Sequence, residues 1–204
     1  MSNYSESEII ERIKIGDSGA FCELVDKYKQ KALNIAYSFC SNYEDARDLS
    51  QEAFIRSFGA IKRFKIKSKF YTWFYRILVN ICKDYLRRKK RSNINKTSVY
   101  FKDKDGSLEP EDIFEHVASD SPGPGKSLLN KELKEKLLRA IESLPFKQKT
   151  IFTLKNMHGL KINEIAEIMR CAQGTVKAHL FKATVNLQNK LERYVNIDNT
   201  GGLR

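Results

Sequence analysis

The stretch KFYTWFYRILVNICKDYLRRKKR, residues 69–91, sets the chain's one tryptophan among several other rings and a dense run of cations. Advancing about 100° per residue from Arg76 puts Lys69, Thr72, Asn80, Lys83 and Arg87 within about 40° of it. Tyr71, Phe74, Leu78, Ile81 and Tyr85 fall on the opposite side. A helix sorts this stretch into one cationic and one apolar face, so Phe74, Leu78 and Ile81 read as core. Trp73 falls near 60° by the same count, on the border, where it can be half buried and still offer its ring.

Helical spacing continues on both sides. Ser7 is placed to cap a short helix ending at Gly16, and Asp17 or Ser18 to cap a longer one through Phe21, Leu24, Val25, Tyr28, Ala32, Ile35 and Phe39. Asn42 opens a third helix to about Ile61, and Ser68 opens the fourth, which runs to about Arg88. These four predict one bundle. From Ser92 the pattern collapses. Residues 106–125, GSLEPEDIFEHVASDSPGPG, hold five acids, no Lys or Arg, and prolines at 110, 122 and 124, the composition of an extended linker. Periodicity resumes near Leu128, passes through Leu133, Leu137, Leu138, Ile141 and Leu144, and stops at Pro145. A further helix carries Ile151, Phe152 and Leu154 and ends near Gly159. Ile162 to Met169 and Gly174 to about Leu191 then form a pair across a tight turn. No strand-like alternation of any length occurs. The expectation is an all-α protein of two small helical domains, 1–92 and 128–204, joined by a long flexible acidic linker over 93–127.

With 204 residues and 41% apolar content the chain can build real cores. It has no apolar run of about 18 residues, and MSNYSESEII lacks the charged-then-apolar order of an export signal. A cytoplasmic protein without membrane insertion is expected. Cys22, Cys40, Cys82 and Cys171 are scattered, with no C-x-x-C pair, and read as reduced, mostly buried thiols. His116, His158 and His179 are scattered too, and no H-E-x-x-H, G-x-S-x-G or P-loop pattern occurs. No catalytic residue, metal site or cofactor is expected.

Charge is informative by its place. Of the net +12, residues 61–91 carry twelve cations against Asp84 alone, a local balance of 12 − 1 = +11. Concentrated cations gain free energy on a polyanion by releasing its condensed counterions, although a solvated basic surface has the same composition. A cationic stripe holding an amide, a hydroxyl and a bordering indole suits single-stranded nucleic acid, whose bases expose faces to stack and edges to hydrogen-bond. The simpler alternative is that Trp73 closes the core and the stripe holds phosphates only.

The C-terminal pair KINEIAEIMRCAQGTVKAHLFKATVNL has Ala166 where two helices would cross, and apolar Ile165, Met169, Val176 and Leu180 facing one another. Arg170-Cys171-Ala172 is short enough to force a sharp angle. This is helix-turn-helix spacing, though a tight hairpin in any small bundle has a similar pattern. In such a unit the second helix enters the major groove, with Gln173, Thr175, Lys177, Ala178, His179, Phe181 and Lys182 as contact candidates. The third helix is of opposite sign. Glu44, Asp45, Asp48 and Glu52 lie on one side and small Ala46, Ser50, Ala53 and Ser57 on the other. One face suits close helix packing, the other either solvent or a basic protein surface.

Taken in order, GDSGAF (16–21), YEDARDLSQEAFIRSF (43–58), FYTWFYRILVNICKDYLRRKKR (70–91), LPFKQKTIFTL (144–154) and INEIAEIMRCAQGTVKAHLFKA (162–183) resemble the sigma-70 family, specifically the short extracytoplasmic-function group of bacterial sigma factors. The resemblance covers nearly all of the chain outside the linker. It implies a dissociable subunit of bacterial RNA polymerase that recognises and melts promoters in transcription initiation, often in a stress response, without catalysis of its own. It also implies contacts with the β′ clamp helices and β subunit of core polymerase, with duplex and single-stranded promoter DNA, and with an anti-sigma factor.

Residue by residue, the resemblance assigns Asp45, Asp48, Leu49, Gln51 and Glu52 to docking on the β′ clamp helices. It assigns Phe70, Thr72, Trp73, Arg76, Asn80, Asp84 and the cations from Arg87 and Arg88 to Arg91 to capture and melting of the minus-ten element, and Lys69 and Lys83 join them as candidates because they share the same helical stripe. Gln173, Thr175, Lys177, Ala178, His179, Phe181 and Lys182 match the reader of the minus-thirty-five element. The chain departs from the family at Arg170 and Cys171, where a glycine is often nearby, and at Ala178 and His179, where a polar residue followed by arginine is common. A free-standing helix-turn-helix regulator is the alternative, but a sensor half would need neither the acidic third helix nor the Trp-bearing cationic one. A base-flipping enzyme would need a carboxylate or metal cluster that the sequence lacks.

Overall fold

The computed structural model describes residues 4–65, 68–95 and 136–200, and every regular element among them is helical. These residues belong to two compact units. The acidic stretch 106–125, the rest of the expected linker beyond Asn95, His116 and the start of the helix expected from Leu128 lie outside the described residues.

The N-terminal unit holds α1 (Glu6–Lys14), α2 (Phe21–Cys40), α3 (Tyr43–Ala60) and α4 (Phe70–Asn95). Ser5, not Ser7, caps α1. The Ser5 hydroxyl accepts the Glu8 N–H at 3.3 Å and the Glu8 carboxylate accepts the Ser5 N–H at 2.6 Å. Ser7 has Ile10 three residues on and cannot close such a reciprocal pair. Gly16, at φ +110°, ends α1 in the left-handed region, where Gly16 N–H bonds the Ile13 carbonyl and Asp17 N–H that of Arg12. Asp17 then caps a 3-10 turn, Ser18–Ala20, that leads into α2, and binds the Arg12 guanidinium at 2.7 Å.

Asn42 caps α3 by accepting the Asp45 N–H, as the sequence suggests. On α3 the small residues Ala46, Ser50, Ala53 and Ser57 are all buried. The hydroxyls of Ser50 and Ser57 turn back to the carbonyls of Arg47 and Phe54, so small side chains can line a close helix contact without orphaned donors. α2, α3 and α4 pack on one another around Leu24, Tyr28, Ile35, Leu78 and a ring cluster in which Phe54 stacks on Phe74 at 4.5 Å. Each such buried side chain stabilises the bundle by about 1.5–3 kcal/mol relative to exposure.

The C-terminal unit begins, among the described residues, with helix α5 over 136–142, followed by α6 (Phe146–Phe152), whose continuation Thr153–Met157 widens to the π form. Gly159 at φ +66° breaks it. α7 (Ile162–Met169) and α8 (Gln173–Thr200) follow. Ala140, Ile141 and Leu144 form a core cluster with Ala183 and Leu187 of α8, and Asn186 donates to Gln148 Oε1 at 2.8 Å. Ile165, Ala166 and Val176 are buried as the pattern requires, while Met169 and Leu180 are half-buried. Between α7 and α8, Arg170 takes the left-handed φ of +51°. Cys171 N–H bonds the Ala166 carbonyl and Arg170 N–H that of Glu167, the double closure that usually employs glycine.

All four cysteines are free. Cys40 and Cys82 are buried, Cys171 is half-buried, and Cys22 is exposed, which corrects the expectation of mostly buried thiols. Among the described residues no helix is long and apolar enough to cross a membrane.

Candidate nucleic-acid interface

α4 starts at Phe70 because two separate acceptors satisfy three of its first donors. The Lys69 carbonyl accepts from Thr72 and Trp73, and the Glu6 carboxylate of α1 accepts the Phe70 N–H at 3.3 Å. No described side-chain bond of Ser68 caps it. Packing against both α2 and α3 buries an arc of about 200°, from Phe70 and Ile81 through Phe74 and Leu78 to Val79 and Thr72. The remaining arc carries Lys69, Asn80, Lys83 and Arg87 exposed and Arg76 half-buried, with Arg88 and Arg91 exposed beyond.

Two expected contact residues are therefore core. Phe70 is 1% exposed, its ring among Tyr28, Phe64 and Phe74, and Thr72 is 3% exposed. Thr72 lies only about 40° from Arg76 on the wheel, but α4 is flanked on two sides, and the buried arc reaches that far. Trp73 sits at the border as expected, half-buried, with its ring 5.0 Å from Phe64 and 5.6 Å from Phe70. Within the stripe Arg87 pairs with Asp84 at 3.2 Å, and the pair is exposed. Exposed pairs of this kind hold little energy and leave the guanidinium available to a phosphate.

Glu6 deserves its place in this site through its partners. Besides Phe70 it accepts from Lys27 Nζ at 2.9 Å and from the Tyr28 hydroxyl. Burial raises its pKa, but the hydrogen bonds from Tyr28 and Lys27 outweigh burial and leave the carboxyl below its ordinary value. It is an anion in the structure.

On α3, Asp48 and Gln51 are exposed, and Glu52 is partly exposed and paired with Arg56. Asp45 is engaged internally, since its Oδ2 accepts the Tyr85 hydroxyl at 2.6 Å, and Tyr85 in turn accepts from Lys89. Leu49 is 5% exposed and belongs to the core, which corrects its assignment to an outward docking face. The same face presents a residue that pattern reading missed. Ile55 is 72% exposed and falls about 20° from Asp48 on the wheel, in the middle of the acids. A lone large apolar residue on a polar face was the available signal.

On α8, Gln173, Thr175, Lys177, Ala178 and Lys182 are exposed and Phe181 is 71% exposed. His179 differs: it is half-buried, and its Nδ1 is enclosed without a hydrogen-bond partner among the described residues. The helix thus offers cations, an amide, a hydroxyl and a ring on one continuous side, anchored on the other by Val176, Ala183 and Leu187.

Residues 24–92 match sigma-70 region 2, and residues 134–187 match sigma-70 region 4. The chain is 32% identical over 194 residues to the RNA polymerase sigma-H factor of Pseudomonas aeruginosa, covering 94% of this chain and 96% of that one. It is 35% identical over 188 residues to the ECF RNA polymerase sigma-E factor of Haemophilus influenzae, covering 92% and 96%. Among solved structures its fold is similar to the sigma factor RpoE of Bartonella quintana in complex with the anti-sigma factor NepR, with a TM-score of 0.62, 20% identity, and coverage of 84% of this chain and 96% of that one.

Proposed function

The chain belongs to the sigma-70 family, in its extracytoplasmic-function group, and from that premise we propose which of its surfaces serve each step of promoter use. As a sigma factor it binds RNA polymerase and promoter DNA. The division of labour follows from charge and exposure. α4 presents the cationic arc of Lys69, Arg76, Asn80, Lys83 and Arg87 to the single strand of the minus-ten element, with Trp73 at its edge. The cations hold phosphates, the Asn80 amide reads a base edge, and the half-exposed indole offers a stacking face. Phe70 and Thr72 support that surface from beneath. The exposed face of α3, Asp48, Gln51, Glu52 and Ile55, docks on the β′ clamp helices of core polymerase, and α8 enters the major groove of the minus-thirty-five element through Gln173, Thr175, Lys177, Ala178, Phe181 and Lys182. Arg88 and Arg91 extend the phosphate contacts of α4.

Melting then needs no bond chemistry. Transient opening exposes an unpaired strand, and α4 makes the open state favourable by binding it. The protein acts in the cytoplasm, where polymerase and DNA are, and an anti-sigma factor of the kind that holds the Bartonella relative is its expected antagonist.

The observation that carries this reading is the exposed cationic arc of α4 with Asn80 and the half-buried Trp73 on it. It is tested by holoenzyme binding to a labelled single-stranded minus-ten oligonucleotide across a salt series. Arg76→Ala should weaken binding and lower the log–log salt slope by about 0.7, the value for one single-strand phosphate contact. An unchanged slope with an unchanged affinity would remove Arg76 from the strand path.

A further inference from the structure

α1 is far from α4 in sequence, yet one of its side chains holds α4's first residue. The Phe70 N–H is one of the donors that a helix start leaves without an internal partner, and the positive end of the helix dipole favours an anion there. Glu6 Oε1 accepts it at 3.3 Å, while Glu6 Oε2 is gripped from α2 by Lys27 Nζ at 2.9 Å and by the Tyr28 hydroxyl. α1 itself has no need of Glu6, because Ser5 and Glu8 already cap it. A cavity of about 310 Å³ opens beside the carboxylate, bounded by Glu6, Ser7 and Ile10 on one side and by Phe64, Ser68 and Lys69 on the other. Phe64 and Phe70 are also the rings against which Trp73 packs.

One carboxylate therefore ties α1, α2 and the start of α4 together at the edge of the strand-facing surface. We infer that Glu6 is a positioning residue for strand capture: by anchoring the Phe70 N–H it fixes the start of α4 and, through Phe64 and Phe70, the pose of Trp73. This rests on the reading of α4 as the strand-binding helix. A glutamine at position 6 keeps the volume but loses the charge that binds Lys27 and the helix start, and a hydrogen bond to a charged group is stronger than its neutral equivalent.

The test uses Glu6→Gln and Tyr28→Phe in the full chain, with Asn80→Ala as a reference, assembled with core polymerase. Trp73 is the only tryptophan, so its emission and quenching in the free protein report its pose without ambiguity. Glu6→Gln should make Trp73 more accessible to a quencher, leave core binding unchanged, and lower open-complex formation on a duplex promoter roughly five- to tenfold, the effect of exchanging a charged acceptor for a neutral one. A template already unpaired at the minus-ten element should recover most of that loss. Tyr28→Phe removes one donor but keeps the carboxylate, and should move both readouts the same way by less; it decides the matter if the glutamine variant does not fold. Wild-type opening by a folded variant overturns the inference, as does an equal loss on duplex and pre-opened templates, which would mark a general loss of structure. If Asn80→Ala opens the duplex poorly while both variants open it normally, only the role of Glu6 falls. If Asn80→Ala also opens it normally, the reading of α4 falls with it.

Discussion

Replacing Ile55 by alanine should weaken core polymerase binding without weakening the fold. Ile55 is 72% exposed in the middle of the acidic face of α3, so it contributes little to the folded chain and has most of its surface left to bury on a partner. Complete burial of such a side chain stabilises by about 1.5–3 kcal/mol. Covering the 72% that water still reaches is then worth about 1–2 kcal/mol. At about 1.4 kcal/mol per factor of ten, Ile55→Ala should raise the Kd for core roughly five- to thirtyfold. Alanine is the better helix former by a few tenths of a kcal/mol, so the melting temperature should hold or rise slightly. Competition between the variant and a labelled wild-type chain for core polymerase measures the first quantity, and circular dichroism the second. Asp48→Arg with Glu52→Arg, which reverses charge on the same face, should be the more severe change, because like charges across an interface cost several kcal/mol. Wild-type competition by a folded Ile55→Ala chain would show that this face does not meet polymerase as argued.

The remaining expectations concern two local features. Tyr75 is 1% exposed and its hydroxyl has no partner among the described residues, so Tyr75→Phe should be neutral or stabilising by up to about 1 kcal/mol in chemical denaturation. A clear destabilisation would mean that the hydroxyl is satisfied. Arg170 holds a left-handed φ that costs an L-residue roughly 1–2 kcal/mol, less about 0.5–1 kcal/mol for the greater unfolded freedom of glycine. Arg170→Gly should therefore stabilise the chain by a few tenths to about 1 kcal/mol, and a lower melting temperature would contradict this account of the turn.

The helices and their order were legible because periodicity, caps and breakers are local. Asn42, Asp17 and Gly16 each act within three or four residues of themselves, and the α7–α8 pair follows from spacing alone. What escaped depends on neighbours distant in sequence. A wheel divides α4 into halves, but α4 packs between two helices, so Thr72 went inside with Phe70. Leu49 lies among acids in the sequence, yet its side chain points about 100° from Asp48 and into the bundle. The anchoring of α4 by Glu6 spans 64 residues and has no local trace. Ile55 is readable in principle, since it is a large apolar residue on the polar side of its helix. Ser5 beat Ser7 by one detail, a glutamate three residues later.

The most direct measurement is permanganate footprinting of a duplex promoter by holoenzyme carrying Asn80→Ala. Asn80 is exposed on the cationic arc and takes no part in the core, so its removal should leave core binding and duplex binding through α8 unchanged. A good base contact or stacking interaction is worth about 1–3 kcal/mol, so thymine reactivity in the minus-ten element should fall about fivefold or more. A template already unpaired there should regain much of the initiation but not all, because the contact to the captured base is still missing. Wild-type thymine reactivity with Asn80→Ala would contradict the account and leave α4 as a surface that holds phosphates alone.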